Sequence, residues 1–299
     1  MSREWQQFVM NLEALNPERV EAIFLRHGAH SVTFSDAGDK PVLEPAPGEM
    51  PLWHDTQITG LFDVDADIRS LECDLRSSLA LEHLPEHRVE ALEDRVWERE
   101  WLKDFGPMRF GERLWICPGG MAADDDAVVV RLDPGLAFGT GTHATTAMCL
   151  EWLDGSELED RTLLDYGCGS GVLAIAALKL GCRQAQAMDI DVQAVTATEQ
   201  NAAQNGVRDR LMVTASADDI DGQFDVVVAN ILAGPLAELA GSIAQHVKTG
   251  GMLTLSGILS EQVDDVLGAY APWFDFDEVE LRSQSGQIWT RLTGRKRQS

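Results

Sequence analysis

The chain has 299 residues, 44% of them hydrophobic and 24% charged, and its 49 acids against 24 Lys and Arg leave a net charge of −25. That length holds one large or two ordinary globular domains, and the composition excludes a chain disordered throughout. The acidity excludes a broad face for nucleic acid and favours a basic partner. Five scattered cysteines form no CxxC pair, the N-terminus has no apolar leader, and no apolar run reaches membrane length. These features predict a soluble, cytoplasmic protein with no membrane span, zinc site or disulfide framework.

Residues 1–92 read as a small α+β unit. Residues 5–12 are strand-like, and residues 17–27 form a helix with Asn16 as N-cap and Gly28 as its stop. Residues 31–34 are β-prone, and the Pro/Gly-rich residues 40–51 form a loop. A strand over 57–62, a helix capped by Asp65 or Asp67 and running to about Leu81, and a strand over 88–92 complete a βαββαβ order. That order predicts a ferredoxin-like sandwich, and its excess of acids does not suit RNA.

Residues 93–105 read as a charged linker helix carrying Trp97 and Trp101 on one face, stopped by Gly106-Pro107. From residue 106 the pattern becomes α/β. Residues 108–117 and 128–132 read as strands, and a glycine-rich loop from Asp133 to His143 runs into a helix over 144–153. Strands then alternate with helices: strands at 162–165, 184–188, 211–214, 224–229 and 252–255, helices at 172–180, 192–205, 235–247 and 261–270. This alternation predicts a doubly wound, mostly parallel sheet, closed by a hairpin of residues 274–281 and 287–293. Residues 282–287 show no usable motif.

The chemistry gathers at Asp165-Tyr166-Gly167-Cys168-Gly169-Ser170-Gly171, where an apolar strand breaks into a glycine turn and opens a helix. Such a turn aims backbone N–H groups and a helix N-terminus at a small ligand. The spacing is GxGxG, with Val172 where a dinucleotide fingerprint has its third glycine, and there is no GxxxxGK[ST]. Asp165 is badly placed beside a pyrophosphate but well placed near a cationic amine. Asp189, about twenty residues on at the end of the next strand, suits two ribose hydroxyls. Asp191 competes for that role, although a helix N-cap accounts for it. A cofactor with a ribose and an amino-acid end but no phosphates fits best, and S-adenosylmethionine is that molecule.

Asn230 follows the fourth strand, which in a doubly wound sheet lies beside the first at the ligand crevice. It is a candidate for holding a methyl acceptor; otherwise it is a strand-terminating turn residue. His143, beside the glycine-rich loop, is a candidate base or a residue that orders the loop. The glycines of the loop suggest that it closes over the cofactor.

Three segments together resemble the bacterial PrmA family, methyltransferases of large-subunit ribosomal protein eleven. They are the loop Leu132-Asp133-Pro134-Gly135-Leu136-Ala137-Phe138-Gly139-Thr140-Gly141-Thr142-His143, the glycine turn, and Ala229-Asn230-Ile231-Leu232-Ala233-Gly234-Pro235-Leu236. The resemblance extends upstream through Trp97-Glu98-Arg99-Glu100-Trp101 and residues 107–118. It implies a substrate-recognition domain at 1–92, a linker helix at 93–105 and a Rossmann-like class I methyltransferase domain at 106–299. It further implies cofactor contacts at Thr146, Gly167, Asp189 and Asn230, to which Phe138, Asp165 and Gly169 are added from the loop and turn. Asn230 is followed by Ile231-Leu232-Ala233 rather than the Pro-Pro-Tyr of many amine and amide methyltransferases, a departure that speaks against a planar-amide acceptor.

The expected activity is methyl transfer from S-adenosylmethionine to lysine side-chain and N-terminal amines of that basic ribosomal protein, by a monomer. Asn230 would orient the amine, since its amide cannot act as a base. Two other readings share the glycine turn. An RNA methyltransferase needs a basic face beside the crevice, and a catalytically silent binding module would show damage at Asp165, Gly167, Asp189 or Asn230. The sequence has neither feature.

Overall fold

The computed structural model describes residues 5–36, 55–92, 106–117, 127–132 and 142–298. The chain divides into two compact units, residues 1–99 and 100–299. The linker helix expected at 93–105 lies outside the described residues, as do the loop residues 133–141.

The first unit runs β1 (Trp5–Asn11), α1 (Pro17–Arg26), β2 (Ser31–Asp36), β3 (Thr56–Asp63), α2 (Ile68–Ser78), β4 (His87–Leu92). The strands lie in the order β2-β3-β1-β4, every neighbour antiparallel, as a ferredoxin-like sandwich requires. Asn16 caps α1 by accepting the Arg19 N–H at 3.0 Å, and Asp67 caps α2 by accepting the Ser70 N–H at 3.1 Å. Alternation along β3 buries Thr56, Ile58, Gly60 and Phe62 and leaves Gln57, Thr59, Leu61 and Asp63 half-exposed on the other face. The buried face packs with Phe8 and Met10 against Val20, Ile23 and Phe24 of α1 and Leu71 and Leu75 of α2. Asp74 joins the helices by accepting hydrogen bonds from Ser78 of α2 and from His27 and Arg26, and these bonds hold its carboxyl well below the usual range.

The second unit begins with a small sheet, β5 (Met108–Phe110), β6 (Leu114–Cys117) and β7 (Val128–Arg131), followed by α3 (Ala144–Asp154). The expected single strand over 108–117 is two strands. Gly111 turns the chain at φ +70°, and the turn is held by Asp154, whose carboxylate accepts the N–H groups of Glu112 and Arg113.

The doubly wound region follows as β8 (Thr162–Tyr166), α4 (Val172–Lys179), β9 (Gln184–Met188), α5 (Val192–Gln204), β10 (Leu211–Thr214) and β11 (Phe224–Asn230). It continues with α6 (Ala233–Glu238), α7 (Ala240–Gln245), β12 (Val247–Leu259), α8 (Val263–Tyr270), β13 (Phe274–Gln284) and β14 (Gln287–Lys296). The sheet order is β10-β9-β8-β11-β12-β14-β13, parallel through β12 and antiparallel at the closing hairpin. Chain order reverses between β8 and β11, which opens the crevice at their C-terminal ends. The helix expected over 235–247 is broken at Leu239 (φ −89°, ψ 5°), which ends α6 and opens α7. Helix α8 starts at Val263, after a 3-10 turn over Ser260–Gln262 in which the Gln262 side chain accepts the Leu259 N–H.

Both faces of the sheet are covered. Helix α4, with Val172 to Leu178 all buried, packs with α3 on one face, while Leu236, Ile243, Val266 and Tyr270 pack on the other. A helix buried on every side needs no polar face, which accounts for its continuous apolar run. Among the described residues no helix is long and apolar enough to cross a membrane, and no group of His, Cys, Asp and Glu is arranged to hold a metal ion.

Candidate functional site

The glycine turn sits at the C-terminal end of β8, with Gly167, Gly169 and Gly171 at φ +80°, +53° and +76°. The N–H groups of Gly167 and Cys168 both donate to the Met188 carbonyl, at 2.8 and 3.0 Å, tying the turn to the end of β9. From α5, the Thr198 hydroxyl donates to the Gly169 carbonyl and the Asn201 amide to that of Ser170. The turn is thus fixed from two sides before any ligand arrives.

Asp189, directly after β9, accepts the Gly169 N–H at 2.8 Å on Oδ2 and the Asp191 N–H at 3.0 Å on Oδ1. Each carboxylate oxygen keeps a further lone pair, so both can accept from a pair of hydroxyls. Asp191 caps α5 by accepting the Gln193 N–H at 2.8 Å. Asp191 thus has the N-cap role that accounts for it, and Asp189 is the acid bonded to the turn itself. Between them Ile190 is 86% exposed, and Val192 is exposed beside it. The sequence signal of this apolar shelf is Asp-Ile-Asp directly after a strand end.

Asp165 is completely buried near the end of β8. Its Oδ2 accepts the Ala174 N–H of α4 at 3.1 Å, and its Oδ1 has no partner among the described residues. Burial, offset in part by that bond and reinforced by the Asp189 charge, pushes its pKa up to about 7. A buried acid with an open oxygen beside the turn suits a cationic group.

Asn230 ends β11, whose Val228 and Ala229 pair with Asp165 and Tyr166 of β8. It therefore stands beside the turn across the crevice. Its Nδ2 donates to the Thr146 hydroxyl at 3.1 Å, so α3 and β11 meet at this pair. The residue after Asn230, where many relatives of the wider class have proline, lies against the turn. A Cβ added at Gly167 would lie 2.3 Å from Ile231 Cγ2, so the Ile231 side chain covers the first glycine closely.

The whole chain matches the same family as these site residues. Residues 4–297 match the model for "Ribosomal protein L11 methyltransferase (PrmA)". The chain belongs to this family. It is 51% identical over 294 residues to a ribosomal protein L11 methyltransferase of Klebsiella pneumoniae, covering 98% of this chain and 99% of the relative. It is 50% identical over 295 residues to one of Salmonella arizonae, covering 98% and 99%. Among solved structures, a ribosomal protein L11 methylase of Lactobacillus delbrueckii subsp. bulgaricus is similar with a TM-score of 0.58 and 34% identity, covering 65% of this chain and 100% of that one. The expected family, the Rossmann-like class I fold, the methyltransferase class and S-adenosylmethionine as cofactor all hold.

Within this PrmA chain the structure brings together Thr146, Gly167, Gly169, Asp189 and Asn230, with Asp165 beneath them. Phe138 and most of the loop expected to act as a lid lie outside the described residues. His143 is the N-cap of α3. Its Nδ1 is 2.8 Å from the Thr145 hydroxyl, its ring stands edge-on to Trp289 at 4.7 Å, and burial pushes its pKa down. Those contacts tie His143 to the start of α3 and to β14. Residues 282–287, which carry no motif, hold Gln284 against the start of α3. Partners 140 positions apart leave no local pattern to read.

A cavity of about 320 Å³ opens at the other end of the sheet, lined by residues including Trp152, Arg161, Asp225 and Lys248. Lys248 there is paired with Asp225 at 2.9 Å. The cavity faces the N-terminal ends of β8 and β11, away from the turn.

Proposed function

We propose that this chain transfers methyl groups from S-adenosylmethionine to amines of ribosomal protein L11, lysine side chains and the N-terminal amine included. The observation that carries the reading is the meeting of Thr146 and Asn230 beside the glycine turn at the sheet's switch point. Bound there, the cofactor supplies an electrophilic methyl group on a sulfonium. Asp189 would hold its ribose hydroxyls, Ile190 its flat base, and Asp165 would face its cationic end. The turn N–H groups and Thr146 would complete the cradle. The fit is chemical as well as spatial: one acid is placed for hydroxyls, another is buried with an open oxygen, and there is no cation for a phosphate in the turn.

A lysine of ordinary pKa carries a handicap of about 4–5 kcal/mol for presenting a neutral amine at pH 7. Desolvation in the crevice lowers that handicap, and an N-terminal amine starts from a smaller one. With Nδ2 turned to Thr146, the Asn230 carbonyl oxygen is the atom left to accept from an amine and aim its lone pair. Alignment alone can be worth several kcal/mol, so no base is needed. Asn230→Ala is therefore expected to lower kcat about 100-fold (~2.7 kcal/mol). Its effect on the KM for S-adenosylmethionine should be smaller, and steady-state kinetics in both substrates will separate the two.

The remaining assignments follow the same reading. Residues 1–92 recognise the substrate, residues 93–105 link, and residues 106–299 form the methyltransferase domain. The half-exposed face of the first sheet, with Gln57, Thr59, Leu61 and Asp63, is the surface offered for recognition. An acidic chain of net charge −25 suits a basic ribosomal protein and disfavours RNA. The enzyme acts as a monomer in the cytoplasm, where its five unpaired cysteines stay reduced. The test is incubation with methyl-labelled S-adenosylmethionine and either L11 or ribosomal RNA, with Asp189→Ala as control. Label in L11 that the variant loses supports the reading; label in RNA alone sinks it.

A further inference from the structure

The closing hairpin reaches the cofactor side of the molecule at its tip. Strands β13 and β14 turn through Ser285 and Gly286, both at positive φ, and pair last at Gln284 and Gln287. There the Gln284 carboxamide makes two bonds to the chain on either side of His143. Its Oε1 accepts the Ala144 N–H at 2.5 Å, and its Nε2 donates to the Thr142 carbonyl at 3.2 Å. The first of these satisfies one of the N–H groups that a helix leaves open at its start. The second holds the end of the glycine-rich loop. Together they set where the loop stops and α3 begins.

The hairpin is itself anchored to α3 further along. Arg282 forms a two-pronged pair with Glu151, at 3.1 Å and 2.5 Å, and also bonds Glu280. Trp289 of β14, nearly buried, supports the His143 ring. Thr146 lies between the two anchors, one helical turn past Thr142. Its 3.1 Å bond to Asn230 tolerates little sliding of α3, because hydrogen bonds weaken steeply beyond that range.

We propose that Gln284 is a positioning residue for the S-adenosylmethionine pocket: it fixes the start of α3 so that Thr146 meets Asn230. The proposal rests on the reading that this pair helps to hold the cofactor. Among the described residues, Gln284 reaches the pocket through Thr142 and Ala144. A role in helix capping alone would change the stability of α3 and leave cofactor affinity as it was.

The experiment is calorimetric titration of S-adenosylhomocysteine into the full-length enzyme and its variants Gln284→Ala, Gln284→Glu and Asp189→Ala, with melting temperatures measured in parallel. Gln284→Ala is expected to raise Kd at least ten-fold. Gln284→Glu keeps the acceptor for Ala144 and loses the donor to Thr142, so it should recover part of the affinity. In kinetics, Gln284→Ala should raise the KM for S-adenosylmethionine and leave the KM for the protein acceptor unchanged. A lowered melting temperature with wild-type Kd would mark a cap only and overturn the proposal. Should Gln284→Ala fail to fold, wild-type Kd in Gln284→Asn, whose shorter side chain cannot bridge both partners, overturns it equally. If Asp189→Ala also binds normally, the failure belongs to the reading of the pocket rather than to Gln284.

Discussion

Gly167→Ala is expected to weaken cofactor binding severely and to destabilise the second unit. The residue sits at φ +80°, where any L side chain is strained by about 1–2 kcal/mol. The larger effect is steric. The new Cβ would lie 2.3 Å from Ile231 Cγ2, so either the turn or the segment after β11 must move. If the turn moves, the bonds from Gly167 and Cys168 to the Met188 carbonyl loosen, and with them the placement of Asp189. If the segment after β11 moves, Asn230 moves with Ile231. Both routes damage the pocket. We expect a stability loss of about 2–4 kcal/mol by denaturant titration. Calorimetry should give at least 100-fold weaker binding of S-adenosylhomocysteine.

Asp165→Asn should separate stability from affinity. The wild-type carboxyl titrates near pH 7 in the folded chain against 3.8 ordinarily, because burial disfavours its charge. Between those values the native state holds a proton that the unfolded chain has released. By linkage, wild-type stability falls as pH rises from about 4 to 7, by up to about 4 kcal/mol, and stays lowered above that. The amide does not titrate, so its contribution is flat. Relative to wild type, Asp165→Asn should therefore gain about 2–4 kcal/mol between pH 4.5 and pH 8 in denaturant titrations. At pH 8, where the wild-type carboxyl is ionised, its affinity for S-adenosylmethionine should be about ten-fold lower, because a neutral amide gives the cationic end less attraction; near pH 4.5, where the wild-type acid is neutral too, the two should bind alike. A variant whose stability tracks wild type across this range would show that Asp165 is ionised without penalty.

The legible part of the fold was whatever rests on local chemistry. The glycine turn, the caps at Asn16 and Asp191, and the apolar run of α4 each declare themselves within a few residues and are found as expected, while of the two cap candidates Asp65 and Asp67 it is Asp67 that caps α2. Breaks in regular structure were harder. Gly111 splits one apparent strand because Asp154, far along the chain, holds its turn. Leu239 divides one apparent helix without any glycine or proline at the break.

The site shows the same division. Asp189 could be read from its place after a strand, whereas Thr146 entered through family resemblance, since only folding brings it to Asn230, 84 positions away. Gln284 and Trp289 had no signal at all. Their role depends on a hairpin packing against the start of α3, and neither residue type nor spacing encodes that.

A crystal structure of the enzyme with S-adenosylhomocysteine bound tests the central claim most directly. The expected result is ribose hydroxyls on the Asp189 carboxylate, the base against Ile190, and the sulfur facing Asn230. A ribose held by Asp191, or a nucleoside lodged in the cavity beside Arg161 and Lys248, would contradict it.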